Sequence, residues 1–281
     1  MPQITEAVKR ITALAPTPEM FPLLTRLMRD PAGDIEEVAA IARHDMALTA
    51  TLLQRANSAT RRGAEPVESV DEAILRLGMH AVLEIVLTLV SQSLYQIPPE
   101  ARIHLHGLWE HTLLTGVLTR DLTRKTDIPR STAYTAGLLH DIGKVFLMKA
   151  DPAEYTRTLQ KARIQHRPCV DQEVADFGIH HGNVGGEMLA RWKIPPTIAA
   201  AVGAHHHTDT LTDDSALARA VETADTLAYV AGFGLGDQYT RCPNAFRNLD
   251  EFELKPIDLP EILANALREV EQVRQTLRSR E

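Results

Sequence analysis

The stretch GLLHDIGKVF, residues 137 to 146, sets a histidine beside an aspartate inside an otherwise apolar run and follows them with a glycine and a lysine. An unpaired charge on a buried face is costly. The stretch therefore reads either as a polar break in a buried helix or as the centre of a metal site that acts on phosphates. Adjacent helical residues project about 100° apart, so His140 and Asp141 cannot address one ion in the same way. An aspartate has two oxygens, however, and can bridge two ions while the histidine binds one. Lys144 returns to the face of Asp141, where its ammonium could meet a phosphate as a point charge. Alone it reads equally well as a solvated lysine.

Working outward, other ionisable residues fall where a helical period asks for core. Leu108, His111, Leu114, Thr115, Leu118 and Leu122 share one face, which turns His111 inward. His181 shares a face with Val184, Gly185, Met188 and Trp192. His205 follows Ile198, Ala201 and Val202, with His206 one turn after Val202, and Asp225 lies with Val221, Ala224 and Ala228. A single inward histidine is ordinarily a hydrogen-bonded core residue. Five of them with two inward aspartates are better satisfied together, by a shared metal. His44-Asp45 is a second His-Asp pair, but it stands at a helix start and reads as a cap. His104, His106, His166, His180 and His207 read as surface residues or supports for neighbouring ligands.

The rest of the chain sets the frame for that cluster. Its 281 residues are 44% hydrophobic, enough for a sizeable core, and only 5% aromatic. Apolar residues recur at helical spacing, few segments alternate as strands do, and the fold class expected is all-α. In the first hundred residues short helices are expected in PEMFPLLTRLMRD, DIEEVAAIARH and DMALTATLLQRANSA. Ser69 with Glu72 forms a candidate capping box before SVDEAILRLG, and Gly78 interrupts the chain before MHAVLEIVLTLVSQSLY resumes the helix. QIPPEARIH, residues 96 to 104, is the best internal boundary. The expected organisation is an N-terminal helical bundle over 1–98, a helical core over 99–250 and a C-terminal helical extension over 251–281. Within the second half, helices are expected over 106–125, 131–149, 152–166, 181–192, 195–206, 214–231 and 259–279.

A formal charge of −7 disfavours a broad electrostatic footprint for nucleic acid. The local basic content, Arg55, Arg61 and Arg62, has no interleaved aromatics for stacking. Cys169 and Cys242 are isolated thiols without CxxC spacing, which fits a reducing, cytoplasmic setting and argues against a thiolate zinc site. The N-terminus lacks the apolar core of a signal peptide, and AVLEIVLTLV is short for a membrane span and carries Glu84, so no membrane segment is expected.

With these residues on the page the sequence resembles the HDOD family of bacterial signalling modules, the HD-related output domains. The likeness runs from about Leu14 to Gly232. It is carried by DMALTATLLQRANSA and PVESVDEAILRLGMHAV, then by WEHTLLTGVLTRDL, AGLLHDIGKVFL, FGIHHGNVGGEMLARWKIPPTIAAAVGAHHH and AVETADTLAYVAG. The resemblance implies an N-terminal helical bundle packed on an HD-superfamily core. His111, His140, Asp141, His181, His205, His206 and Asp225 are similar in order to the ligands of the related HD-GYP phosphodiesterases, which use two metals to hydrolyse cyclic di-GMP. By that similarity His111, His140, Asp141 and Asp225 would hold one ion, and Asp141, His181, His205 and His206 the other. An all nitrogen and oxygen set suits divalent iron, manganese or zinc. A water held by such ions is acid enough to attack a phosphoester near neutral pH, with Asp141 and Lys144 as the catalytic candidates. Two features depart from the HD-GYP pattern: TDTLTDDSALARAV stands where Gly-Tyr-Pro would follow the paired histidines, and Gly107 stands one turn before His111, where some relatives place a further carboxylate.

Two functions follow. One is a regulatory module that binds a signalling protein or a nucleotide or other phosphoester ligand, its metals stabilising the fold or sensing a signal. The other is a metal-dependent phosphohydrolase. The complete ligand set favours the second, while the family resemblance favours the first.

Overall fold

The computed structural model describes residues 35–43, 46–58, 67–94, 107–192, 194–208, 215–234 and 247–278. The expected helix over PEMFPLLTRLMRD, the His44-Asp45 cap, the boundary at 96–104, His104, His106, Arg61, Arg62 and Cys242 lie outside these residues. Among the described residues there are thirteen α-helices and two short 3₁₀ turns, Arg247–Phe252 and Pro256–Asp258, and no strand. The all-α expectation holds. No helix among them is long and apolar enough to cross a membrane.

The chain divides into two compact units, one of residues 18–93 with 271–281, the other of residues 94–270 with 1–17. The first contains α1 (Ile35–Arg43), α2 (Met46–Ser58), α3 (Val70–Leu77) and most of α4 (Met79–Leu94). Val38, Ala42, Leu48, Leu52, Ile74 and Val86 form its apolar interior. Asn57 spans the turn to α3, donating to the Val67 carbonyl at 3.0 Å and accepting from the Val67 amide at 2.7 Å. Ser69 caps α3 by accepting from the Glu72 amide. Gly78, at φ 78°, separates α3 from α4, as its sequence position implies.

The second unit contains α5 (Leu108–Leu122), α6 (Arg130–Leu139), α7 (Ile142–Ala150), α8 (Pro152–Ile164), α9 (Cys169–Phe177), α10 (His181–Arg191), α11 (Pro196–Ala204), α12 (Ala216–Val230) and the greater part of α13 (Leu259–Arg278). α5 is buried nearly all round, with Thr112, Leu113, Val117 and Thr119 as enclosed as the face read from its periodicity. Its polar side chains are tolerated because Thr115, Thr119 and Thr123 each donate back to the carbonyl four residues earlier, at 2.7 to 2.9 Å. α6 and α12 pack on α5, while α10 packs on both α7 and α11. On α13, Ile262, Ala266 and Val270 are buried at a four-residue spacing, and Arg120 of α5 makes a two-pronged pair with Glu269 at 2.8 and 3.1 Å.

The structure departs from the expected helices in two places. The single helix over 131–149 is two, broken at His140-Asp141, where Asp141 adopts φ −95° and ψ 8° and the Lys144 amide bonds back to the Asp141 carbonyl at 3.0 Å. Apolar periodicity runs through the break and hides it. The second departure is α9, whose inward residues include Gln172 and Glu173 while Val174 faces solvent, the reverse of the pattern that signals a surface helix.

α7 can approach α10 closely only because residue 143 is glycine. A Cβ there would collide with the His181 carbonyl and lie 2.9 Å from the Gly185 amide nitrogen. Gly143→Ala is expected to destabilise the protein by about 3 kcal/mol, the upper end of ordinary overpacking costs, because backbone rather than a flexible side chain must move. Urea denaturation of the two proteins measures it.

Candidate metal centre

The helix ends deliver most of the cluster. His140 and Asp141 occupy the break between α6 and α7, His181 opens α10, His205 and His206 follow α11, His111 lies in the first turn of α5, and Asp225 projects from the middle of α12. A helix end leaves carbonyls without an intrahelical partner, and two of the histidines meet that need. His140 and His205, each a C-cap residue, place Nδ1 at 2.7 Å from the carbonyls of Gly137 and Val202, three residues earlier. His181 Nδ1 lies 2.7 Å from Glu173 Oε2, and His111 Nδ1 lies 3.2 Å from the Phe233 carbonyl. Each of the four acceptors favours a proton on Nδ1 and turns Nε2 toward the others.

Those Nε2 atoms meet the two carboxylates. His111 Nε2 is 3.0 Å from Asp225 Oδ1, 3.3 Å from His140 Nε2 and 3.7 Å from Asp141 Oδ2. His140 Nε2 is 3.5 Å from both Asp141 Oδ2 and Asp225 Oδ1. On the other side of Asp141, its Oδ1 is 3.1 Å from His181 Nε2, which is 2.9 Å from His206 Nε2. Three sets of possible ligand atoms each lie within 4.8 Å of one another: Asp141 with His181, His205 and His206; His111 with His140 and Asp141; and His140 with His205 and Asp225. All seven residues singled out in the sequence thus converge, with His140, Asp141 and His205 each shared between two sets. The break at 140–141 lets His140 and Asp141 address the same space, which an unbroken helix would not.

Electrostatics and hydrogen bonding ask for a cation in that space. Asp141 and Asp225 are buried, yet the neighbouring charges outweigh burial and hold both well below the ordinary carboxylate range: Lys144, His140 and His181 act on Asp141, and His111 and His140 on Asp225. His205 and His206 are pushed well below the usual imidazole value by burial and by the neighbouring histidines, so they are neutral. Burial opposes the charged form of His181 too, but Glu173 and Asp141 outweigh it and raise the group to about 9. Lys144 Nζ lies 2.8 Å from Asp141 Oδ2. Even so, neither Asp141 oxygen receives an aligned hydrogen bond, and Asp225 Oδ1 and His205 Nε2 are likewise buried without a hydrogen-bond partner. Ligand atoms about 2.1 Å from one ion stand roughly 3 to 3.5 Å apart, the range found here. The donor set fits a divalent ion.

Glu173 is the functional residue that the sequence did not disclose. It is fully buried, accepts from both the amide and Nδ1 of His181 through Oε2, and accepts from Tyr155 Oη at 2.7 Å through Oε1. Burial favours its neutral form, but His181 and Lys144 prevail and draw it down to about 2, so it is ionised. The available signal was its place eight residues before His181. Of the supporting histidines, His180 is buried and its Nε2 lies 3.1 Å from Nε2 of exposed His207, beside the His181–His206 contact, whereas His166 is exposed at φ 53°. Lys144 also reaches Tyr229 Oη at 3.4 Å, and Tyr229 lies over His111 with ring centres 4.7 Å apart.

The model of the HDOD domain matches residues 14–208. The chain belongs to the HDOD family. Among solved structures, an HDOD domain protein from Geobacter sulfurreducens is 22% identical with a TM-score of 0.74, covering 98% of this chain and 96% of its own. A protein from Shewanella amazonensis, provisionally named a phosphohydrolase, is 20% identical with a TM-score of 0.75 and covers 96% of this chain and 98% of its own. At these identities the likeness is one of fold. In sequence, the chain aligns with a ribonuclease Y of Geobacter sulfurreducens at 28% identity over 57% of this chain and 24% of that protein, and with an uncharacterised protein of Treponema pallidum at 23% over 70% and 38%. The chain thus spans well under half the length of these curated relatives.

Replacing Glu173 by Gln presents an amide to donors that now meet a carboxylate. Glu173→Gln is expected to cost at least about 2 kcal/mol, since hydrogen bonds to buried charged groups carry roughly 1.5–3 kcal/mol each, whereas Tyr155→Phe, which removes one donor, should cost about 1 kcal/mol. Denaturant midpoints of the two variants test the order.

Proposed function

We propose that this HDOD protein is a bacterial signal-transduction module whose HD-like core carries two divalent ions, iron, manganese or zinc, and whose output is the binding of a signalling protein or of a nucleotide or other phosphoester ligand. In this reading His111, His140, Asp141 and Asp225 hold one ion, His181, His205 and His206 hold the other, and Asp141 serves both. The observation that carries it is enclosure. His140 is 0%, Asp141 1% and Lys144 2% exposed, and this enclosure leaves little room for a substrate beside the ions, which turnover requires. The two isolated thiols, Cys169 and Cys242, support a reducing, cytoplasmic setting. Ligand imidazoles must be neutral to bind, so an ion competes with the proton on His181, and occupancy should weaken as the pH falls.

A second reading, a metal-dependent phosphohydrolase, is favoured by Lys144. Its ammonium, held on Asp141 and beside Tyr229, could orient a phosphate oxygen at the cluster. When bound, the ions would supply Lewis acidity and lower the pKa of a coordinated water. A second Shewanella amazonensis structure, provisionally named a metal-dependent phosphohydrolase, shares the fold at a TM-score of 0.63 and 18% identity.

Protein purified without chelator should carry about two divalent ions per chain by elemental analysis, as expected for a complete nitrogen and oxygen ligand set, and His140→Ala should lose half or more of them. Metal-free wild-type protein that takes up none from solution would end this reading. Across a panel of phosphoesters the loaded protein should release no product; a measurable rate that His140→Ala abolishes would select the hydrolase instead.

A further inference from the structure

The enclosed cluster raises the question of how an ion or a phosphoester gets in. Among the seven candidate ligands, Lys144 and Tyr229, His206 and Tyr229 alone are half-buried; the others are sealed. His206 is one of the seven candidate ligands, so it cannot swing away without dismantling the site. Tyr229 is not. Its ring lies over His111 at 4.7 Å between centres, with the planes tilted by 49°, and Lys144 Nζ reaches its hydroxyl at 3.4 Å. Directly after it the chain turns back: the Gly232 amide bonds to the Tyr229 carbonyl at 2.9 Å, Gly232 stands at φ 87°, and the Phe233 carbonyl meets His111 Nδ1 at 3.2 Å. The turn also presses Gly234 flat against the phenol. Any Cβ at residue 234 would collide with that ring.

We propose that Tyr229 is the access-determining residue of this site: its phenol, braced by Gly234, closes the path from solvent to Lys144 and His111, and must swing outward for a divalent ion or a small phosphate-bearing anion to enter. As an aromatic ring on a half-exposed helix end, it can change rotamer without breaking a ligand contact. Its hydroxyl hands Lys144 over to the incoming anion, which takes the place of the phenol beside the ammonium. The ion-entry half rests on the metal reading proposed above, whereas the closure of Lys144 does not.

Two readouts separate the two. The first is acetylation of Lys144 by acetic anhydride in metal-free protein, followed by mass spectrometry and normalised to the exposed Lys125. Tyr229→Ala should accelerate it at least tenfold. Gly234→Ala, which pushes the ring from outside the cluster, should act in the same direction, and Tyr229→Phe should act less because the ring stays. The second is release of ions to EDTA from manganese-loaded protein. It should quicken at least tenfold in Tyr229→Ala and Gly234→Ala, with unchanged metal content at saturating manganese. Unaltered Lys144 labelling in both variants would overturn the gate, as would acceleration only in a variant that has lost its cooperative melting transition. A wild-type protein that binds no manganese would end the metal reading and the ion-entry half, while the labelling result would still decide the closure.

Discussion

The constraint on which the rest of the structure depends is the burial of the Asp141 carboxylate among imidazoles whose Nε2 atoms face it. A buried carboxylate without compensation costs several kcal/mol, and this one has Lys144 at 2.8 Å on one oxygen and His181 at 3.1 Å on the other. Four of the five imidazoles are oriented from behind, by the carbonyls of Gly137, Val202 and Phe233 and by Glu173. The Gly137 and Val202 carbonyls belong to the last turns of α6 and α11. At His140 and His205, building the cluster and terminating the helix are therefore one act: the carbonyl that the helix end leaves over is the group that aims the ring.

That economy explains why the site was largely legible in sequence. His140 and His205 close helices whose inward faces are apolar, so periodicity marked them as buried, and the same count turned His111, His181 and Asp225 inward. What the period does not carry is the change of direction between residues 140 and 141, because Leu138, Leu139, Ile142 and Val145 are apolar on both sides of it. Nor does it reveal Glu173, which lies where no helix is expected and whose partners come from other segments. Tyr155 and the His181 amide are 18 and 8 residues away. Burial of a charge is decided by its partners, and those are a tertiary property. The division of α5 into an inward and an outward face failed for a related reason. Its threonines satisfy themselves on their own helix and need no solvent.

Enclosure and ligand completeness point toward different roles, and the geometry shows how both can be features of one family. A full set of ligands defines where ions would sit, whereas turnover also needs a path for substrate and room beside the ions. Here Lys144 and Tyr229 stand in that room. Burial of the candidate ligands under their own helices keeps the cluster intact while limiting the room beside it.

The helix contacts fix the cluster's geometry. A set of side chains that could share an ion must hold its distances to about 0.2 Å, so the spacing of the helices that carry them matters. The contacts that set it lie within one turn of the ligands. Gly137, whose carbonyl holds His140, leaves no space for a Cβ between α5 and α6, with the Thr115 carbonyl 2.7 Å and Gly116 Cα 2.8 Å from where that atom would stand. Gly143, two residues after Asp141, brings α7 against the first residue of α10, which is His181 itself. Backbone packed on backbone has no side-chain rotamers through which to relax, so the placement of His140 against His111, and of Asp141 against His181, is set by hard contacts.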